Sequence, residues 1–582
     1  MALAPPPLAP APRWLITPRD RVAEEVLQRE LGISSLVSAL LVQRGFADPT
    51  EADKFLRCSL DDLHDPSLLP DYMLARDAIL GAKERGEVIF VHGDYDVDGV
   101  TSAAIFDRFL KKIGCNVVTH VPHRMKEGYG IHTSAVDVAI AAGAKLFLTC
   151  DCGSSAIEQI KKARAAGMTV VVTDHHTIGV EKPDAQAFIN PHREDSVYPF
   201  QELSGAGVVF KLCAGLARDL GFELSHYYRA YLDLACLGTI ADVMPLVGEN
   251  RIIARHGLER LRETKKIGLQ ALMARAEVDL SKPLTNYHIG FVLGPRLNAA
   301  GRVDDAAKAL QLLIEQDPEA ASQLADMIET ANTERRAEQQ RIIEEAIEQV
   351  EETEAHKRWV VVACKEGWHS GVVGIVASRL VEQYYKPAFV LTHDPVSGLV
   401  KGSARSIPGF HLADAIRANI HLFVGGGGHA MAAGCSFEHE NLEAVCEALH
   451  TFAQGCLTEE DMVPTVRVDI EVAPKELTLK TAQDLAMMEP YGVANPEPVF
   501  LARDTTLLEL KPCKNPIQMQ LKMRMADAPP QRGIAFGIGE ALAAYESGAK
   551  VDLLFKAEVD EWNGNRNLKW QVRGFRDPAP EM

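Results

Sequence analysis

EVIFVHGDYDVDGVT, residues 87–101, decides the reading of the chain. Val88, Ile89, Phe90 and Val91 form an apolar run of the kind that makes a buried strand. The run ends in a turn where His92, Asp94, Asp96 and Asp98 alternate with Gly93, Tyr95, Val97 and Gly99. Alternate side chains of an extended segment point the same way. One imidazole and three carboxylates therefore converge on one side of the backbone. Unpaired, that much negative charge repels itself, and a divalent cation is the simplest remedy.

The sequence around this turn alternates helix and strand. Helical patterns at 71–86, 101–114, 132–143 and 155–167 separate apolar runs at 116–122, 145–151 and 169–176. Strands joined by helices of this length predict a parallel sheet with right-handed crossovers, and ligands bind beyond the carboxyl ends of such strands. Asp151 closes KLFLTCD, and Asp174, His175 and His176 close TVVVTDHH. Asp242 ends an apolar, helical run in LACLGTIADVMPL. An Asp after a strand is also a common helix cap, and Asp98 or Asp151 taken singly reads either way. The set HGDYDVDG, CDCGSS, TDHH and TIADVMP, in order at successive element ends, reads as chemistry. Asp and His without Cys favour two Mn²⁺ or Mg²⁺ ions over a structural zinc, and two such ions suit phosphoester hydrolysis.

With 582 residues the chain predicts three or four domains. Its net charge of −19 argues only weakly against a nucleic-acid partner, because acids committed to metals do not oppose a local basic groove. The eleven cysteines lack CxxC pairs, which suits free thiols in a reducing compartment. The Pro/Ala-rich start is no signal peptide, and no apolar stretch is long enough to span a bilayer. A cytoplasmic protein with no membrane contact is expected.

The four motifs resemble the DHH phosphoesterase superfamily. Over nearly everything after the leader, the sequence resembles its RecJ family, bacterial exonucleases specific for single-stranded DNA. The resemblance implies a dinuclear centre held by Asp96, Asp98, Asp151, His175 and Asp242, with Asp151 as the bridge. His92 stands four residues before Asp96, the spacing of a ligating histidine in pyrophosphatases of the superfamily. Whether His92 or Asp94 touches metal stays open. His176 resembles the histidine that faces the scissile phosphate, and Asp174 is expected to orient a ligating imidazole.

Further candidates for phosphate or DNA contact follow. Ser204 and Gly205, in SGAGVVFKL, would offer backbone N–H groups to an anion, or else pack tightly as small residues. Arg296, Asn298 and Arg302, in FVLGPRLNAAGRVDDA, resemble a RecJ signature. The charged stretch 317–358 reads as a long helix joining two units. In the second α/β unit, His369, Lys401, Arg405 and the run Gly427, Gly428, His429 resemble the cleft face of the DHH-associated domain. The glycine run is read as a loop before a helix, an amide cradle for an anion.

After about residue 459, short strands with one helix predict an OB-type barrel, a fold that holds single strands on aromatics and basic groups. Phe500, Lys511, Lys514, Lys522, Arg524, Trp562 and Lys569 form the pool there, and Ala494 stands where the family shows Gly. The expected division is 1–70 leader and helical region, 71–316 catalytic, 317–358 connecting helix, 359–458 DHH-associated and 459–582 barrel.

The function implied by the resemblance is 5′-to-3′ exonucleolysis of single-stranded DNA to mononucleotides in recombination and repair. It implies a monomer, with a single-stranded-DNA-binding protein and a recombination helicase as partners. Two rivals remain: a phosphodiesterase on short oligonucleotides, cyclic dinucleotides or pyrophosphate, and a non-catalytic DNA-binding scaffold.

Overall fold

A computed structural model describes residues 10–578, apart from 124–126, 129, 304, 527 and 563–564. Most of the Pro/Ala-rich leader lies outside the described residues. The first unit holds five parallel strands in the order Asn116–His120, Val88–Gly93, Ala144–Cys150, Thr169–Thr173, Ala187–Ile189. The last strand has only three residues, too few for periodicity to mark it.

Alternation along the strand Val88–Gly93 explains the layering. Ile89 and Val91 pack into a core with the helices Val97–Lys112, Gly205–Asp219 and Leu224–Ala241. Phe90 points the other way, against the helices Thr133–Ala141 and Ile157–Ala165. Both faces are covered, so the strands are apolar throughout.

A 35-residue helix, Pro318–Glu352, starts at Asp317, whose carboxylate accepts the Ala320 N–H. Ala321, Ala325 and Ile328 on its first half bury in the core of the first unit. Ile342, Ile343, Ala346 and Val350 on its second half bury in that of the second. The second sheet runs Gly425–Gly428, Ala432–Glu438, Leu399–Arg405, Ala388–His393, Val361–Glu366, parallel only between the last two.

Five strands close the C-terminal barrel: Phe500–Pro512, Gln518–Met525, Gln531–Phe536, Asn565–Arg576 and Lys550–Trp562, the last pairing back to the first. Trp570 stacks on Phe555 at 3.9 Å inside it. Phe500 is core rather than a stacking platform, and Lys511 pairs with Glu509. The side chain of Trp562 lies outside the described residues. Ala494 adopts φ 62°, the left-handed backbone that favours the glycine seen in the family.

The N-terminal helices pack on the barrel unit. Arg13–Ile16 pairs in parallel with Thr465–Val468, and Leu27, Leu36, Leu40 and Phe55 share the barrel's core cluster. Arg251 of the first unit is 1% exposed at this junction. Its guanidinium sits 3.8 Å over the Phe55 ring and donates to the backbone carbonyls of Phe55, Met487, Met488, Glu489 and Pro490. No helix among the described residues is long and apolar enough to cross a membrane.

Candidate metal centre

The acidic turn ends in a helix that Asp96 caps, its Oδ1 accepting the Gly99 N–H at 3.0 Å. The helix continuation turns Asp98 inward, away from the alternation expected of an extended segment. Asp98 meets the start of the helix Gly205–Asp219, where Gly205 N–H and Ala206 N–H donate to its two oxygens at 2.7 and 2.9 Å. Two charge-assisted bonds at a helix N-terminus suit a buried carboxylate.

Asp151 follows its strand with φ 60°, a left-handed conformation that bulky residues avoid. The backbone there turns the carboxylate toward His175. His175 Nε2 lies 3.1 Å from Asp151 Oδ1, 3.6 Å from Asp242 Oδ2 and 3.8 Å from Asp98 Oδ2. Asp98, His175 and Asp242 can each offer a ligand atom within 4.8 Å of the others, and so can Asp151, His175 and His176.

Burial, then the charges of neighbouring carboxylates, push the Asp98 and Asp151 carboxyls well above the usual range. Asp94 and Asp242 are pushed up to about 7 for the same reasons. The charge of Asp96 contributes at all four. Burial lowers His175 to about 4, which keeps its imidazole neutral. Asp94 Oδ2, Asp151 Oδ1 and His175 Nε2 are buried with no hydrogen-bond partner. Buried orphan donors and acceptors of this kind are costly. Oxygen and imidazole ligands around one point fit a hard divalent cation.

His176 differs from its neighbour. Burial would lower its pKa, but the 2.8 Å bond from Nδ1 to Asp174 and the surrounding carboxylates outweigh this and lift it to about 9. Asp174 also accepts the backbone N–H groups of Ser154, His175 and His176. Burial opposes the charge on Asp174, yet these bonds lower it to about 2. Asp174 thus orients His176, which itself lies within reach of Asp151 and His175. His92 is fully buried, with Nδ1 3.0 Å from His120 Nδ1, and falls outside both three-ligand groups.

Several expected phosphate contacts are otherwise engaged. The Gly205 N–H is taken by Asp98, while Ser204 Oγ caps Gly207 N–H and meets Thr239. Gly205 is needed for closeness: a Cβ there would lie 2.6 Å from Asp151 Oδ1. Arg296 binds Glu329 and the Val292 carbonyl, so its fork is spent within the fold. Gly427, Gly428 and His429 do not precede a helix. They form the exposed edge of a hairpin whose tight turn is closed by the His429 N–H on Ala432. Without side chains, the glycines let the edge strand lie close on its partner: a Cβ at Gly428 would meet the Ala432 carbonyl at 2.4 Å.

Other residues do gather at the junction of the units. Arg302 donates to the Gly371 carbonyl at 2.7 Å, and His369 Nδ1 accepts the Gly371 N–H. Arg302 and Asn298 line a cavity of about 180 Å³ with Ala241, Arg335 and Ile375, next to Asp242. Arg405 approaches Gly374 and shares its end of the sheet with Gly428. Lys401 lies four residues back along the strand, roughly 13 Å away.

Arg335 was not evident from sequence, where it reads as one more charge on a helix face. Among the described residues its Nε is buried without a hydrogen-bond partner, and its other nitrogens bond the neutral Asn332 and Gln339. Gly238 was missed as well. A Cβ there would stand 2.4 Å from Asp98 Oδ1 and 2.6 Å from Ala206 Cβ. Gly238→Ala is therefore expected to displace Asp98 and weaken Mn²⁺ binding by about tenfold or more, read by titration calorimetry. Unchanged affinity would remove Asp98 from the ligand set.

Three family descriptions match the chain: the DHH family N-terminal domain over residues 88–239, the DHHA1 domain over 356–455 and the RecJ OB domain over 468–574. The single-stranded-DNA-specific exonuclease RecJ of Bacillus subtilis is 37% identical over 97% of this chain and 71% of its own length. The RecJ of Escherichia coli is 33% identical over 95% of this chain and 97% of its own. The crystal structure of RecJ in complex with Mn²⁺ from Thermus thermophilus superposes with a TM-score of 0.83. It is 28% identical, with 97% of this chain and 80% of that one covered. With the three domains in the same order and near-full-length identity of this extent, the chain belongs to the RecJ family.

Proposed function

We propose that this chain is a metal-dependent exonuclease that degrades single-stranded DNA from the 5′ end to mononucleotides. The observation that carries it is the cluster of buried ligand atoms on Asp151 and His175, which make no hydrogen bond and lie 3.1 Å apart, with Asp98 and Asp242 beside them. Ala241, the residue before Asp242, lines a cavity with Asn298, Arg302 and Arg335. The names of the B. subtilis and E. coli relatives support the substrate, and the Mn²⁺ and Mg²⁺ complexes of T. thermophilus RecJ support the cofactor.

Asp96, Asp98, Asp151, His175 and Asp242 would hold two Mn²⁺ or Mg²⁺ ions, with Asp94 beside them. Such ions polarise phosphoryl oxygens and make water nucleophilic at neutral pH. The protein supplies the rest. Neutral His175 presents a lone pair rather than a proton. His176, held by Asp174 and protonated at neutral pH, places positive charge where the phosphoryl group gains negative charge. Arg302 and Arg335 offer guanidinium groups for the phosphodiester backbone in the cavity.

The reading extends by family to a cytoplasmic monomer in recombination and repair. It would work beside a single-stranded-DNA-binding protein and a recombination helicase. A small-substrate phosphodiesterase would leave the barrel without a task, and a non-catalytic scaffold would leave the orphaned ligand atoms unexplained.

Digestion of end-labelled DNA tests this. With Mn²⁺ or Mg²⁺, single strands should yield mononucleotides from the 5′ end while blunt duplexes persist, and excess chelator should stop the reaction. Chelator-resistant cleavage, or equal attack on duplexes, would refute it.

A further inference from the structure

Folding leaves two neighbouring aromatic rings in solvent. Tyr287 is 61% exposed and Phe291 73%, their rings stacked with centroids 5.4 Å apart and planes 22° from parallel. Four residues apart on a helical segment, they share one face. Burial accounts for neither ring, and a contiguous exposed apolar patch marks an interaction site.

Their position gives the patch a use. Tyr287 lines a groove of about 970 Å³ between the first unit and the barrel, shared with Arg255, Tyr491, Lys556 and Arg573. Three residues on, Gly290 lines the cavity beside Asp242 that also holds Arg302 and Arg335. One short segment thus borders both the barrel groove and the chamber next to the metal centre. It is anchored at its start, where the Asn286 side-chain amide donates to the Tyr491 carbonyl of the barrel unit.

The groove is not an electrostatic trough. Its cations are interleaved with Glu259, Glu263, Glu489, Glu497 and Glu558, and Lys556 already pairs with Glu497. A strand lying there would be held less through phosphates than through its bases, and stacking on aromatic faces is the available contact.

Resting on the exonuclease reading above, we propose that Tyr287 and Phe291 form a base-stacking step. This step takes unpaired bases from the barrel groove and delivers the strand to the metal centre. A duplex, whose bases already stack on each other, cannot use it.

The full-length protein in excess chelator, so that no cleavage occurs, is mixed with a single strand carrying 2-aminopurine at successive positions. Stacking quenches this base. Quenching is expected at one or two adjacent positions, persisting in Tyr287→Phe. In Tyr287→Leu/Phe291→Leu, which keeps apolar surface but not rings, it should disappear and Kd rise about tenfold.

Absence of quenching at every position, or a double leucine variant that binds as tightly as wild type, overturns the proposal. Should the double variant misfold by circular dichroism, the wild-type position scan decides alone. Failure here while the wild type still digests single strands leaves the exonuclease reading intact. Failure of the wild type to digest them at all is a failure of that reading instead.

Discussion

Asp151→Asn is expected to lower turnover on single-stranded DNA by about four orders of magnitude, equivalent to about 5.5 kcal/mol of barrier. The side chain is buried, its Oδ1 has no hydrogen-bond partner, and it stands 3.1 Å from His175 Nε2. Asparagine keeps the shape and removes the charge that a shared cation would need. In chelator, the same variant should melt no lower than wild type, because one of several mutually repelling carboxylates is gone. Single-turnover assays and calorimetric melts check the two halves. Turnover within tenfold of wild type would sink the metal assignment. A large fall in melting temperature would recast Asp151 as a structural residue.

Arg251→Ala carries the largest expected structural effect. It would leave five backbone carbonyls without their donor in a buried junction and strip the cation from the Phe55 ring. Unsatisfied buried acceptors make this worth about 3–5 kcal/mol. The loss should fall on the attachment of the N-terminal helices and barrel to the first unit, and not on the metal centre. Limited proteolysis should release the barrel end early, and the first melting transition should drop by several degrees. Arg251→Lys should recover only part of this, because a single ammonium cannot reach five carbonyls arranged for a planar fork. A melting profile identical to wild type would contradict the role.

Legibility in the sequence followed the range of the interaction. The apolar runs at Val88–Gly93, Ala144–Cys150 and Thr169–Thr173 announced strands, and the acids at their ends announced the centre, because both signals are local. Local signals misled where backbone groups had distant partners. The small residues at 204–207 read either as an anion cradle or as tight packing, and the group that takes their N–H donors is Asp98, more than a hundred residues earlier. Arg296 sat in a signature that suggested DNA, and only the fold shows that it pairs with Glu329 on the long helix. Glycine at 425–428 suggested a loop, since glycine carries no strand propensity, and only the partner strand Ala432–Glu438 made it an edge.

By itself the sequence determined that the chain builds two α/β units and a barrel, and that Asp and His gather at the carboxyl edge of the first sheet. Both follow from period-two and period-3.6 patterning, which records what each segment must bury. Tertiary structure alone decided which carboxylates lie around His175, and that His92 Nδ1 meets His120 Nδ1. It also decided that the N-terminal helices belong to the barrel core, and that Arg335 faces the cavity at Asp242. These contacts join positions tens to hundreds of residues apart. A residue's own neighbourhood in sequence carries its burial, but the partner it meets there depends on how every other surface has packed.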